Sequence, residues 1–569
     1  MKTRSFALAV SILAGIGGAF ACSASGNKSS PGGSSGTTGS GGTGGSGTGG
    51  GGGIAIDAGT GGSGAKPGGV PQTCEAANAS QSYIGCEYWP TATMNDQLNK
   101  QFKFAIVAAN PTTTDAVVTV EQKGSQVAQV TVKPGGLETV ELPWAMELQS
   151  GSALAQGAAF HVTSSVPITL YQFNPLEFQL PGCTGDPLGC YSYTNDASLL
   201  LPVSAMRGEH YVVSYPALHF GSQDPIGGTS WTNLPGLLSV TATQDGTNVK
   251  VRTSANVAAG PGVTALTAGS ETTYQMNAGD VLQLTTQKLP DQQIVAPGKK
   301  CTTVTDGIPP LVTTDYFCPP PQEYDLTGTY VNADKPVAVS GGHDCTFIPF
   351  DKRACDHLEE TIFPVDALGQ DLIVTSPQDV GSISTGPGTP AYHYVRVLSA
   401  ADANEIQFDP PSMHAPVTLN AGQWIEVGPI AGDFRVTATN KMLIAQYIAG
   451  QEFTGNAEAG DPAMSVAIPT EQYRLEYTFL APTTYTYNFV NVVAPAGASI
   501  TLDGTAIPPS EFQPIGGSGY GVARHKITGG VHTMKGDQNF GIVVYGYASY
   551  TSYMYPGGLN LETIVIKPR

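Results

Sequence analysis

Tyr274-Gln-Met-Asn-Ala-Gly-Asp-Val-Leu-Gln-Leu284 and Val417-Thr-Leu-Asn-Ala-Gly-Gln-Trp-Ile-Glu-Val427 match position by position in apolar pattern and share Asn-Ala-Gly. Apolar and polar residues alternate on both sides of a glycine-containing break, which reads as strand, turn, strand. Val132-Lys-Pro-Gly-Gly-Leu-Glu-Thr-Val-Glu-Leu142 is a looser third copy. Downstream of each copy lies a second shared segment: His161-Val-Thr-Ser-Ser-Val-Pro-Ile-Thr-Leu-Tyr171, Tyr330-Val-Asn-Ala-Asp-Lys-Pro-Val-Ala-Val339 and Arg435-Val-Thr-Ala-Thr-Asn-Lys-Met-Leu-Ile-Ala-Gln-Tyr447, with a weaker fourth at 531–547. Upstream, residues 238–252 turn at Asp245-Gly246, and residues 485–502 run to a turn at Asp503-Gly504. Asp-Gly between alternating apolar residues predicts a hairpin; residues 102–120 and 392–408 fill the same slot. Repeats two to four open with a proline and a strand, at 202–215, 364–374 and 469–479.

The repeats predict an all-β chain of about four tandem units. Six or seven strands in about 100 residues is the size of a β-sandwich. Propeller blades of about 40–50 residues are shorter, so a propeller-like closure is the alternative. The units are expected at 74–195, 196–357, 358–460 and 461–569, the second lengthened by an insertion around residues 301–318. Composition agrees: 71 glycines, 42 prolines and only 12% charged residues suit short strands and many turns. Forty-five acidic against 26 basic residues give a net charge of −19, which repels phosphate backbones and excludes nucleic acid as a partner.

Residues 1–21 have the anatomy of an export signal. Lys2 and Arg4 precede an uncharged, largely apolar run at 6–20, which is too short to span a bilayer. Ala19-Phe20-Ala21 before Cys22 fits either an A-x-A cleavage site or a lipobox, and the polar tract that follows favours lipidation at Cys22. Residues 22–73 then form a linker rich in Gly, Ser and Thr that cannot bury enough apolar surface to order itself. Its Gly-rich part, 26–69, has a root-mean-square span of roughly 35–40 Å. The expected location is the outer membrane, lipid-anchored and facing the surface or periplasm, with secretion as the alternative. The N-terminal lipid is the only membrane contact expected.

Besides Cys22 there are eight cysteines: Cys74, Cys86, Cys183, Cys190, Cys301, Cys318, Cys345 and Cys355. Export and the even count imply disulfides. The simplest proposal joins neighbours, 74–86, 183–190, 301–318 and 345–355, each contributing about 3 kcal/mol at most. The last pair lies in the one segment dense in chemistry. His343-Asp344-Cys345 is mirrored by Cys355-Asp356-His357, followed by Glu359 and Glu360. Reduced, two thiolates and two imidazoles suit tetrahedral zinc. Oxidised, the segment is a clamped loop whose polar residues satisfy one another, and export favours that state. His343, Asp344, Asp356, His357 and Glu359 are therefore a candidate functional loop, with no catalytic set, metal or cofactor expected. Asp402, Asn404 and Glu405 offer oxygen ligands to calcium, but a polar turn accounts for them better. The glycine-rich run 516–521 fits neither a nucleophile elbow nor a P-loop. Trp424, His161, His393 and His525 read as strand residues.

Tyr83-Ile-Gly-Cys-Glu-Tyr-Trp89 resembles the N-terminal domain family of IgGFc-binding proteins. So do Thr327-Gly-Thr-Tyr-Val-Asn-Ala-Asp-Lys-Pro-Val-Ala-Val-Ser-Gly-Gly-His-Asp-Cys345 and Cys355-Asp-His-Leu-Glu-Glu-Thr-Ile-Phe-Pro-Val-Asp-Ala-Leu-Gly369. The likeness runs roughly from Tyr83 to the C-terminus and is most specific in the His-x-Cys…Cys-Asp-His-Leu-Glu block. Animal members are secreted, mucus-associated proteins named for binding the Fc region of IgG; bacterial members look like exported surface proteins. The von Willebrand D-type modules that accompany the domain in animals are not seen here. The resemblance implies a surface-displayed, non-enzymatic binding or adhesion module, without cofactor, for an extracellular protein or glycan ligand. The alternative is an extracellular hydrolase or metal-dependent enzyme using the His343/His357 region.

Overall fold

A computed structural model describes residues 69–182, 190–192, 194–353, 355–380, 388–454, 459–549 and 551–566. The export signal, Cys22, nearly all of the linker and Cys183 lie outside the described residues. Among the described residues no helix is long and apolar enough to cross a membrane.

Four strands dominate: His161–Phe173, Tyr330–Thr346, Phe434–Ile448 and Gly530–Ala548. They contain the second shared segment of each repeat. The first part of each mixes buried with exposed or half-exposed positions, most regularly in Tyr330–Thr346 and Phe434–Ile448, while the last six or more residues are buried without interruption. A sheet with one wet face demands alternation, and one covered on both faces demands a continuous apolar run. The change of pattern marks where each long strand leaves the rim of its unit for the interior.

The second unit shows how a long strand organises its neighbours. The first half of Tyr330–Thr346 pairs with Thr247–Arg252 and Arg207–Tyr211. Its second half pairs with Gly236–Ala242 and Asp356–Thr361. Glu271–Met276 then adds to Thr247–Arg252, and Val281–Thr285 to Gly236–Ala242. The unit is thus one broad antiparallel ribbon folded over into two layers, with the long strand running through both. The first, third and fourth units repeat this pairing strand for strand. The chain is all-β and built of sandwich-like units; among the described residues the sheets do not close into a propeller.

The predicted hairpin at Asp245-Gly246 is not one. Gly236–Ala242 and Thr247–Arg252 do not pair with each other; they lie end to end along the same long strand. Phe104–Ala109 with Ala116–Gln122, and His393–Ser399 with Asn404–Asp409, behave alike. The intervening turns are corners between layers. The Asn-Ala-Gly motif explains the geometry. Gly246 N donates to Asn277 Oδ1 at 3.1 Å, and Ala278 N to Asp245 Oδ1 at 3.0 Å. One unit later, Ala403 N donates to Asn420 Oδ1 and Ala421 N to Asp402 Oδ1, both at 3.1 Å. Two neighbouring corners are clasped by reciprocal side-chain acceptors, and Asp402 is committed to that clasp. Asp503-Gly504 does form a hairpin, pairing Thr501 with Ala506 and Leu502 with Thr505; its φ values of 49° and 80° are those a two-residue type I′ turn requires.

After its long strand, each unit adds a closing strand that is wholly buried: Ala197–Leu199, Asp356–Thr361, Ala463–Val466 and Thr551–Pro556. Each packs against the next in cyclic order, and the fourth returns to the first. One apolar core accordingly takes in residues from all four units, from Tyr83 to Leu561. The chain start is sewn to the last unit: Tyr83 N donates to Leu559 O at 3.2 Å and Leu561 N to Gln81 O at 2.7 Å. The second unit's insertion joins Leu218–Gln223 and Thr229–Leu234 to Thr302–Ile308 and Leu311–Phe317 in a separate four-stranded sheet, with Cys301 bonded to Cys318 at its base.

Candidate functional site

His343, Asp344 and Cys345 end the second long strand, and Asp356 to Glu360 lie on the closing strand beside it. Cys345 and Cys355 form a disulfide with Cα atoms 5.2 Å apart. Cys74 is bonded to Cys86; the expected 183–190 pair rests on Cys183, outside the described residues. Sulfur held as cystine offers neither a thiolate ligand nor a nucleophile.

The five polar candidates are all fully buried, at 0% exposure. His343 Nδ1 accepts from Cys345 N at 3.1 Å and its Nε2 donates to Pro216 O at 3.1 Å; burial pushes its pKa down to about 3. His357 Nδ1 donates to Asp344 O at 3.3 Å, and its Nε2 accepts from Asn174 Nδ2 at 3.1 Å. Each imidazole thus uses one nitrogen as donor and the other as acceptor. Glu359 receives Gln172 Nε2, Thr93 Oγ1 and Asn174 Nδ2, all from the first unit. Asp344 Oδ1 accepts from Asp96 N at 2.7 Å, and burial raises its pKa to about 6. The candidate loop is a polar seam joining the first two units, with its bonding capacity turned inward.

Sequence reasoning missed Asp196 and Asp461, the two carboxyls that gather with Asp356 and Glu360 behind this seam. Asp196 and Asp461 sit just ahead of their closing strands, as Asp356 begins its own, and Glu360 follows in the second. Asp196 Oδ2 accepts from Glu359 N at 3.0 Å and Met464 N at 3.2 Å, linking three units. Loss of water raises Asp196, Asp356, Glu360 and Asp461 well above the ordinary carboxylate range, and Asp461 and Asp196 raise Asp356 further. Asp356 Oδ2, Glu360 Oε2 and both Asp461 oxygens meet no hydrogen-bond partner among the described residues. Neutral acids tolerate such surroundings where carboxylates do not. The signal was present: an Asp shortly before the buried strand of three successive units shows once the repeats are aligned by their long strands. Among the described residues no group of three or more His, Cys, Asp or Glu side chains is placed to hold a metal ion.

The remaining candidates are dispersed. Trp89 stacks on His161 with ring centres 4.3 Å apart. Trp424 lies 4.3 Å from the Arg396 guanidinium, which also pairs with Asp325 and Glu426. His393 is buried, His525 pairs with Glu511 at 2.8 Å, and Gly517 N donates to Asp409 Oδ2 at 3.0 Å.

Residues 196–546, covering the second and third units, most of the fourth and the whole stretch from His343 to Glu360, match the family described as IgGFc binding protein. The chain belongs to the IgGFc-binding protein family. No curated protein matches it. The IgGFc-binding family is a family of binding domains, not of enzymes. The block from His343 to Glu360, which lies within the match, is the interior seam between units.

Proposed function

We propose that the protein is an exported, surface-displayed module that binds an extracellular protein. It is anchored to the outer membrane through a lipid on Cys22 and held clear of it by residues 22–73. The family membership carries this reading. Three disulfides among the described residues support an oxidising compartment, and the long Gly-rich tether suits display. An enzyme built on His343 and His357 would need them open to substrate, and both are sealed inside the seam.

The test uses the full chain carrying Cys22→Ala on an array of immobilised IgG Fc, other extracellular proteins and glycans. Saturable binding to a protein spot, undiminished by free glycans, is the expected result. Binding to glycans alone, or hydrolysis of an arrayed substrate, would overturn it. The same variant should move from the membrane fraction to the soluble fraction. Retention on the membrane would refute the anchor separately from the binding.

A further inference from the structure

The four-stranded sheet inserted in the second unit has no counterpart in the other three among the described residues. Its base is braced. Cys301 is bonded to Cys318, Phe220 and Phe317 pack against Phe347, and Arg353 pairs with Asp315 at 2.8 Å. From that base two hairpins run outward side by side. Gln223 stands opposite Thr314, so antiparallel register carries the turn at 224–228 alongside the outer end of Leu311–Phe317. Ile308 pairs with Leu311 across the second turn. The two turns together form one tip.

The tip is apolar and bare. Ile226 is 94% exposed, Ile308 82% and Leu311 72%. Side chains two residues apart on a strand share a face. Counting by twos from Phe317, Leu311 and its partner Ile308 therefore stand on the face that Phe317 buries at the base. The same face is covered at one end of the sheet and open at the other. Asp224 Oδ1 accepts from Ile226 N at 3.0 Å and from Gly228 N at 2.9 Å, which fixes the turn that presents Ile226. Aliphatic side chains held on a braced backbone lose little conformational freedom when a partner covers them.

The chemistry of the tip selects its partner. Residues 222–230 and 303–314 contain no aromatic and no basic residue, and their only charged side chains are Asp224 and Asp306. Sugar rings are held by flat aromatic faces, which this tip lacks. Membrane surfaces are held by Lys, Arg, Trp and Tyr, and anionic headgroups repel carboxylates. An apolar centre flanked by two carboxylates is instead complementary to a protein surface with an apolar centre and a basic rim. We infer that this tip is the surface with which the chain grips its protein partner, and that the partner offers an aliphatic pocket bordered by Lys or Arg. The inference rests on the reading of the protein as a binder of an extracellular protein, and adds where it binds and what chemistry it meets.

The test uses the full chain carrying Cys22→Ala, with the immobilised IgG Fc and other extracellular proteins of the array as probes. On the protein spot that this chain binds most tightly, Ile308→Ser with Leu311→Ser should raise the dissociation constant at least about tenfold. The melting curve should not move, because both side chains are exposed. Asp306→Asn should weaken the same binding and reduce its dependence on salt. Val117→Ser, an exposed apolar position on the first unit, should leave it unchanged. Binding that survives the double substitution overturns this inference and leaves the protein-binding reading standing; a chain that binds no protein spot overturns both. Tighter binding by Asp306→Asn refutes the basic rim. Binding to phosphatidylcholine vesicles that the double substitution abolishes would make the tip a lipid contact and overturn the protein partner.

Discussion

Tyr83 and Thr478 exchange two hydrogen bonds across 395 positions of sequence: the phenol donates to the Thr478 carbonyl at 3.2 Å and accepts the Thr478 amide at 3.1 Å. The ring is fully buried, and burial raises its pKa, so the hydroxyl stays protonated and both bonds persist. Tyr83→Phe keeps the ring and strands the buried Thr478 amide, while the carbonyl retains the Tyr171 hydroxyl at 3.4 Å; the cost is about 1–3 kcal/mol. Thermal melting should show a drop of several degrees. An unchanged melting temperature would mean that water reaches this seam.

Removing one sulfur tests the clamp on the candidate loop. Cys345 and Cys355 are ten residues apart, and the loop-entropy estimate for Cys355→Ser is a loss of about 2–3 kcal/mol. Cys345 is 1% exposed, so its freed thiol should resist labelling in the folded chain and react after denaturation. Rapid labelling under native conditions would show that the disulfide, not the packing, seals the seam.

Buried acids and buried imidazoles oppose each other in pH. Asp196, Asp356, Glu360 and Asp461 hold their protons in the folded chain far above the pH at which the unfolded chain releases them. The native state binds more protons above about pH 4, and stability from these groups falls as pH rises. His210, His343 and His393 are pushed down to about 3, so the unfolded chain binds more protons between there and about 6.5, and stability from them rises with pH. Asp461→Asn removes one falling contribution. Its melting temperature relative to wild type should climb steadily from pH 4 to pH 8; a constant offset would show that Asp461 titrates normally.

The two clasped corners offer an internal control. Gly246 and Ala403 occupy equivalent positions with φ of 64° and 50°. Only glycine adopts that region without strain. Ala403→Gly should therefore stabilise the chain by about 0.5–1 kcal/mol, and Gly246→Ala should destabilise it by about 1 kcal/mol. Denaturant midpoints measure both, and equal signs would break the equivalence of the corners.

Much of the fold was legible because its signals are local. Alternation around Asn-Ala-Gly, and the apolar run after Val337 and after Met442, gave strands and their repeat. The pairing was not legible. Asp245-Gly246 carries hairpin chemistry, yet the flanking strands satisfy their backbones against Tyr330–Thr346, some 80 residues downstream, and only the reciprocal bonds with Asn277 and Ala278 show why the turn opens into a corner. His343 and His357 were found by residue type. Their partners, Pro216, Asn174 and Asp344 O, come from backbone geometry and from another unit, where sequence spacing holds no information.

The stitch between residues 81–83 and 559–561 also fixes an order in time. During synthesis the first of these segments emerges long before the second exists. The first unit has its own core, which includes Tyr88, Phe104 and Val162, and can condense early. Tyr83 and the inner faces of the closing strands must wait for the fourth unit. Completion of the ring therefore waits for the fourth unit, and a chain interrupted before it leaves the Tyr83 hydroxyl without the Thr478 amide and carbonyl that it bonds.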